Sequence, residues 1–173
     1  MHTSSLYNMK VFRDSYLLGK QDLKIMDIGS LNLNGSYKEL FTKWEYIGVD
    51  IVAGNNVDIV LEDPYKWQEI ETDSVDVVIS GSAFEHIEFF WLTMEEIVRI
   101  LKPGGVCCII APSSGPMHHH PVDCWRFLPD GFRALARYVG LEVLEAKRPE
   151  EGRKLDWPSE MWADTVLIAR KPM

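Results

Sequence analysis

Residues Lys24–Ser36 read KIMDIGSLNLNGS, and they constrain the rest of the chain more than any other stretch. An apolar run ends in Asp27-Ile28-Gly29-Ser30, a turn of small residues follows, and Gly35-Ser36 opens a helix-like pattern carried by Tyr37, Leu40, Phe41 and Trp44. Strand, glycine turn and helix start form the arrangement that brings backbone N–H groups close to a polar ligand. Ser36 stands three residues before Glu39, the spacing of a capping box. Leu31 and Leu33 occupy places where a dinucleotide-binding turn carries more glycine, so the Gly29…Gly35 pair fits a ligand-free turn as well as a binding one.

The remainder of the chain alternates between the two periodicities. Strands are expected at Glu45–Asp50, Val57–Leu61, Ser74–Ser80, Val106–Ala111, Leu141–Lys147 and Met161–Arg170, the last of them closing an edge. Helices are expected at Phe89–Leu101, stopped by Lys102-Pro103-Gly104-Gly105, and from Pro129 to Val139, stopped by Gly140. A short helix is expected over Pro64–Ile70. Residues 1–20 read as an N-terminal helix or lid, and 112–127 as a long loop on the substrate side. Only Ile51–Asn56 separates the second strand from the third, too little for the usual crossover helix, which points to a trimmed loop between parallel neighbours. The expected architecture is α/β: one Rossmann-like, doubly wound, mostly parallel sheet of about seven strands with an antiparallel edge strand, flanked by helices, in a single domain spanning 1–173. Ligands bind such sheets at the carboxyl ends of the strands, where Gly29, Asp50, Asp63, Ser80 and Pro112 fall.

Composition narrows the partners. A net charge of −8 on 173 residues disfavours duplex nucleic acid, whose phosphates need Lys and Arg, and disfavours an anionic membrane surface. No run approaches the length of a membrane span, and MHTSSLYNMK lacks a signal-peptide core, so a cytoplasmic protein is expected. Cys107, Cys108 and Cys124 include no C-x-x-C pair, and buried reduced thiols are expected.

Four pieces together carry a resemblance: DIGS…NGS after the first strand, the acid ending GVD, the stretch SVDVVISGSAFEHI, and ILKPGG. In that order they resemble the class I S-adenosylmethionine-dependent methyltransferases, closest to the type 11 branch. The resemblance implies S-adenosylmethionine as cofactor and a small-molecule acceptor methylated on O or N, with sugars and glycosylated natural products among the candidates. It implies a cofactor set of Asp27, Gly29, Ser30, Gly35, Asp50, Ile51, Glu62, Asp63 and Ser80. Asp27, Gly29 and Ser30 would lie beside the methionine part, Asp50 on the ribose hydroxyls, and Glu62 or Asp63 at the adenine amino group. Pro64 departs from the family pattern, since it has no N–H for the adenine ring. The missing crossover helix and Leu31 are two further departures.

His86, in AFEHI, would face the transferring methyl group, either as the base for the acceptor's proton or as a residue that caps the helix behind it. The stretch 119–127, HHPVDCWRF, resembles a pattern in type 11 relatives and makes His119, His120, Trp125 and Arg126 substrate-binding candidates; the alternative is a structural corner with Asp123 and Arg126 paired. His118, His119 and His120 are adjacent in an extended loop and point in differing directions, so no metal site is assigned. Trp157 and Trp162 mark a dimer edge or a lid. Two rival functions remain: a non-catalytic S-adenosylmethionine- or nucleotide-binding regulatory module, and an NAD-type oxidoreductase, the latter disfavoured by the absence of G-x-G-x-x-G and of a Tyr-x-x-x-Lys pair.

Overall fold

The computed structural model describes residues 3–148 and 159–173. Its elements are α1 (Thr3–Phe12), β1 (Lys24–Ile28), β2 (Glu45–Asp50), β3 (Ile59–Val60), β4 (Val75–Gly81), α2 (Phe90–Ile100), β5 (Leu101–Pro112), α3 (Pro129–Tyr138), β6 (Glu142–Lys147), α4 (Ser159–Trp162) and β7 (Asp164–Arg170). The seven strands form one sheet in the order β3-β2-β1-β4-β5-β7-β6. All neighbours from β3 to β5 are parallel, and β7 runs antiparallel to both β5 and β6. The doubly wound, mostly parallel architecture is therefore the observed one.

The antiparallel strand lies one place inside the edge rather than at it. Six of its seven residues are buried. The near-continuous apolar run of β7 is the mark of a strand covered on both faces, and the amphipathic β6 takes the edge.

Alternation along the strands sorts the core into two layers. Met26, Ile28, Val78, Cys107 and Ile109 face α2 and α3, with Ile97, Phe132 and Leu135 packed on them. Ile25, Val77, Ile79, Cys108 and Ile110 face the other way, against Met9 and Phe12 of α1 and against Tyr37 and Phe41. Cys107 and Cys108 are buried free thiols on opposite faces, as expected, whereas Cys124 is exposed. The N-terminal segment is a helix lying on the sheet, and its first turn reaches the carboxyl rim, where the Ser4 hydroxyl donates to Asp164 at 2.6 Å.

The helix expected after Gly35 is absent; a single 3₁₀ turn, Lys38–Leu40, stands in its place. The capping box does not form, and Ser36 Oγ instead accepts the Lys38 N–H at 3.0 Å. Length explains it: the stretch 36–44 would rise only about 13 Å as an α-helix, while the chain must travel about 17 Å back along β1 to begin β2. The i, i+4 spacing of Tyr37 and Phe41 still buries both rings.

The segment 62–73 also lacks its expected helix and is a chain of turns. It is held from α2. Arg99 donates to the carbonyls of Trp67 (2.8 Å) and Ile70 (2.9 Å) and to Glu96, while the Trp67 N–H donates to Glu96 at 2.9 Å. Trp67 is almost wholly buried and supplies the apolar cover a helix would have given. Between β2 and β3 the crossover is the trimmed loop, and the two strands pair in parallel over two positions only. Trp157, read with Trp162 as a dimer edge or a lid, lies outside the described residues.

Candidate functional site

The β1 turn closes directly onto the end of β2. Gly29 and Ser30 both donate their N–H groups to the Val49 carbonyl, at 2.9 and 3.1 Å. The Leu31 N–H donates to Asp50 Oδ2 at 3.0 Å, and the Val52 N–H to Asp50 Oδ1 at 3.2 Å. Each carboxylate oxygen thus carries one backbone donor and keeps acceptor capacity for another. Gly29 has φ +75°, and a Cβ built there would lie 2.4 Å from the Ala83 Cβ, so only glycine lets the loop after β4 approach this bend.

Beneath the turn runs a polar chain that the sequence reading did not find. Tyr46 donates to Asp27 through a short hydrogen bond, Asn56 Nδ2 donates to the Tyr46 hydroxyl at 3.0 Å and to the Ser30 carbonyl at 3.0 Å, and Ser30 Oγ donates to the Asn56 carbonyl at 2.9 Å. Asn56 reaches this position by crossing over Gly48, where an added Cβ would meet its carbonyl oxygen at 1.8 Å. A glycine inside an apolar strand was the available signal for such a close approach. Asp27 is 3% exposed; burial pushes its carboxyl up to about 7, the Tyr46 hydrogen bond pulls it down, and the nearby Asp50 charge adds to the rise.

The N–H groups of Gly29, Ser30, Leu31, Asn32, Leu33 and Gly35 all donate within the protein. No α-helix begins behind them. A phosphate-binding turn needs those donors free at a helix N-terminus. What the bend offers instead is carbonyl and carboxylate oxygen, which suits a cationic ligand bearing hydroxyls.

The other predicted cofactor residues divide. Ile51 is 54% exposed just past Asp50, and Gly35 is exposed. The Leu61 N–H donates to the Asp50 carbonyl at 2.9 Å, which sets Glu62 and Asp63 beside the same rim. Asp63 Oδ1 accepts the Tyr65 N–H at 2.8 Å across Pro64, and the Tyr65 ring packs on Phe89 with centroids 5.3 Å apart. Ser80 departs from expectation: it is fully buried, and its hydroxyl donates to the Ile28 carbonyl at 2.8 Å, stapling β4 to β1.

The loop 112–127 folds back over the end of β4, with the Cys124 N–H donating to the Glu85 carbonyl at 2.7 Å. His86 donates Nδ1–H to the Val122 carbonyl at 2.5 Å, which fixes the tautomer and leaves the lone pair on Nε2. Burial lowers the His86 pKa. His118 and His120 do not diverge as adjacent histidines were expected to; residues two apart in an extended loop share a side, and both rings lie edge-on to His86, at 4.8 and 5.7 Å. His119 is exposed.

Arg126 is not available as a fork for an acidic substrate. Its guanidinium pairs bidentately with Asp123 at 2.6 and 2.8 Å and donates to the Pro116 carbonyl at 2.8 Å, an arrangement that holds the Asp123 carboxyl well below its usual range. Trp125 donates its indole N–H to the Ile87 and Glu88 carbonyls, both at 3.1 Å, and leans on Phe90, keeping a partly exposed face. Trp162 is buried and packs on His118 and Arg126, so it belongs to the loop's underside and not to a dimer edge.

A family profile described as "Methyltransferase domain" matches residues 27–109, which run from Asp27 of the glycine bend through LKPGG into β5. Over that stretch, just under half of the chain, the sequence is similar to the class I methyltransferase family. An uncharacterized methyltransferase of Mycobacterium tuberculosis is 37% identical over 68 residues, 39% of this chain and 26% of that protein, so the chain aligns with about a quarter of the curated relative's length. Among solved structures, a Burkholderia thailandensis 1,6-didemethyltoxoflavin-N1-methyltransferase, held with its substrate and S-adenosylhomocysteine, superposes with a TM-score of 0.75 at 15% identity, covering 98% of this chain and 79% of that one. The [4+2]-cyclase SpnF superposes at 0.68 and 12% identity, covering 97% and 82%. These methyltransferase-fold likenesses concern the fold alone. Among the described residues no helix is long and apolar enough to cross a membrane.

Proposed function

We propose that the chain binds S-adenosylmethionine at the β1–β2 bend and transfers its methyl group to an oxygen or nitrogen of a small acceptor held under the loop 112–127. The observation that carries this reading is the convergence of Gly29 and the Asp50 carboxylate through Leu31, with every assigned N–H of the bend already used. A bend of this kind favours a ribose and a cationic amino-acid tail over a dinucleotide pyrophosphate, which speaks against the oxidoreductase alternative.

The residues present fit the cofactor. Asp50 would take the ribose hydroxyls, Asp27 would balance positive charge from below the bend, Ile51 would offer an apolar contact, and Tyr65 with Asp63 would border the adenine. When bound, the cofactor supplies a methyl group already activated as a sulfonium. The chain's own contribution is alignment, together with a His86 Nε2 lone pair held by Val122 to receive the acceptor's proton. Candidate acceptors are small hydroxyl- or amine-bearing metabolites, sugars included. Because Arg126 is committed to Asp123, recognition of an acidic group by that side chain is not part of the proposal. Incubation with methyl-labelled S-adenosylmethionine and a panel of hydroxyl and amine acceptors tests it: label should move to an acceptor. One alternative, cofactor binding without transfer, gains if cofactor binds but no panel member is labelled.

A further inference from the structure

The loop 112–127 and the turn after β4 bring together a set of donors that the methyl-transfer reading leaves unexplained. Glu85 is completely buried, and neither of its carboxylate oxygens has a hydrogen-bond partner among the described residues. His118 Nδ1 is likewise buried without a hydrogen bond. His86 Nε2 carries the ring's lone pair, because Nδ1–H is committed to Val122, and it lies 3.7 Å from Glu85 Oε1. One donor atom from each of the three residues falls within 4.8 Å of the others.

A buried carboxylate with no donor is costly, and native proteins seldom leave such a group unanswered. A cation held with the neighbouring His86 and His118 nitrogens answers it. From these contacts we infer that Glu85, His86 and His118 form a site for a divalent first-row transition cation, of which zinc is the representative. Two imidazoles and a carboxylate are the ligand types such ions choose, with bond lengths of about 2.0–2.2 Å. A contraction of about 1 Å suffices to draw the three donors onto the ion, and His118 rides on a loop that can supply it. The outer contacts are of the usual kind: the Val122 carbonyl orients His86, and the Asp123 carboxylate, 3.2 Å from His118 Nδ1, lies at the margin of the site.

Three protein ligands leave at least one coordination position open. Glu85 and His86 follow β4 immediately, beside the Ala83 that closes on Gly29, so the site lies next to the rim where the acceptor would lie. Resting on the methyl-transfer reading, this makes the acceptor a hydroxyl- or amine-bearing molecule that ligates the cation through the atom to be methylated. The cation would lower the pKa of that atom, whose proton then leaves to solvent water, and His86 Nε2 serves as a ligand in place of the base role given above.

Titrating zinc into chelator-treated full-length protein, followed by calorimetry and by the visible bands of cobalt(II) in the same site, tests the inference. Wild type and His119→Ala should each bind one equivalent. His118→Ala and Glu85→Gln, checked as folded by circular dichroism, should bind at least 100-fold more weakly. Absence of a one-equivalent site in wild type, or equal losses in His118→Ala and His119→Ala, overturns it, the second outcome marking adventitious binding by the histidine run. Melting the same samples with S-adenosylmethionine separates the two failures: a ligand shift without zinc binding removes the cation site alone, and zinc binding without a ligand shift removes the methyl-transfer reading alone.

Discussion

Asp27→Asn is the perturbation whose size the structure allows to be worked through. Burial raises the Asp27 carboxyl to about 7, from 3.8 in the unfolded chain. Below pH 4 both states hold the proton, and the carboxyl contributes nothing to the balance. Between 4 and 7 the folded state keeps a proton that the unfolded state has released, so stability falls as pH rises, by up to about 1.4 kcal/mol per pH unit, and levels off above 7. From pH 5 to pH 8 the loss attributable to Asp27 is about 2–3 kcal/mol. Asparagine keeps an oxygen for Tyr46 to donate to and removes the titration. Urea unfolding of both proteins at pH 5 and pH 8 measures the difference: the variant should gain about 2–3 kcal/mol relative to wild type across that interval. A cationic ligand beside Asp27 favours the ionised form, so binding at pH 6 should release close to one proton in wild type and none in the variant, as calorimetry in buffers of different ionisation enthalpy reports. Parallel pH profiles for the two proteins would refute the reasoning.

Two other changes probe the site and its frame. Asp50→Asn leaves an acceptor for one backbone N–H but loses the charge and half the lone pairs; S-adenosylhomocysteine should bind about tenfold more weakly by calorimetry, and unchanged affinity would remove Asp50 from the ribose. Arg99→Ala strips the donors that hold the carbonyls of Trp67 and Ile70, and should cost about 2–4 kcal/mol in urea unfolding, with raised hydrogen exchange confined to the segment 62–73.

Much of the frame was legible because it is written locally. The apolar runs of β1, β4 and β5, the stop at Gly140 and the short IVAGNN link each constrain structure through neighbours in sequence, and they gave the parallel sheet and the helix-free crossover. The spacing of Tyr37 and Phe41 did not reveal the missing helix, since one 3₁₀ turn and an α-helix place such residues on nearly the same side. The position of β7 depends on what covers each face of the sheet, which a single strand pattern reports only through its unbroken apolar run.

The candidate site was legible where strand ends carry it, at Gly29 and Asp50. It was not legible where partners come from distant sequence. Asn56 reaches Asp27 through Tyr46, Ser80 spends its hydroxyl on Ile28, and Glu85 meets His118 only because the loop 112–127 folds back. In the HHPVDCWRF stretch the structural-corner alternative, with Asp123 and Arg126 paired, is the arrangement observed, whereas the closeness of His118, just outside it, to a glutamate 33 residues upstream was not legible.

The central claim is that the β1–β2 bend holds S-adenosylmethionine, and thermal unfolding with S-adenosylmethionine, S-adenosylhomocysteine and NAD tests it most directly. At about 100 times its Kd a ligand of the folded state adds about 2.7 kcal/mol, which for a chain of this size raises Tm by roughly 5–10 °C. The account predicts that rise with the first two compounds and none with NAD; a rise with NAD, or no rise with either sulfur compound at millimolar concentration, would contradict it.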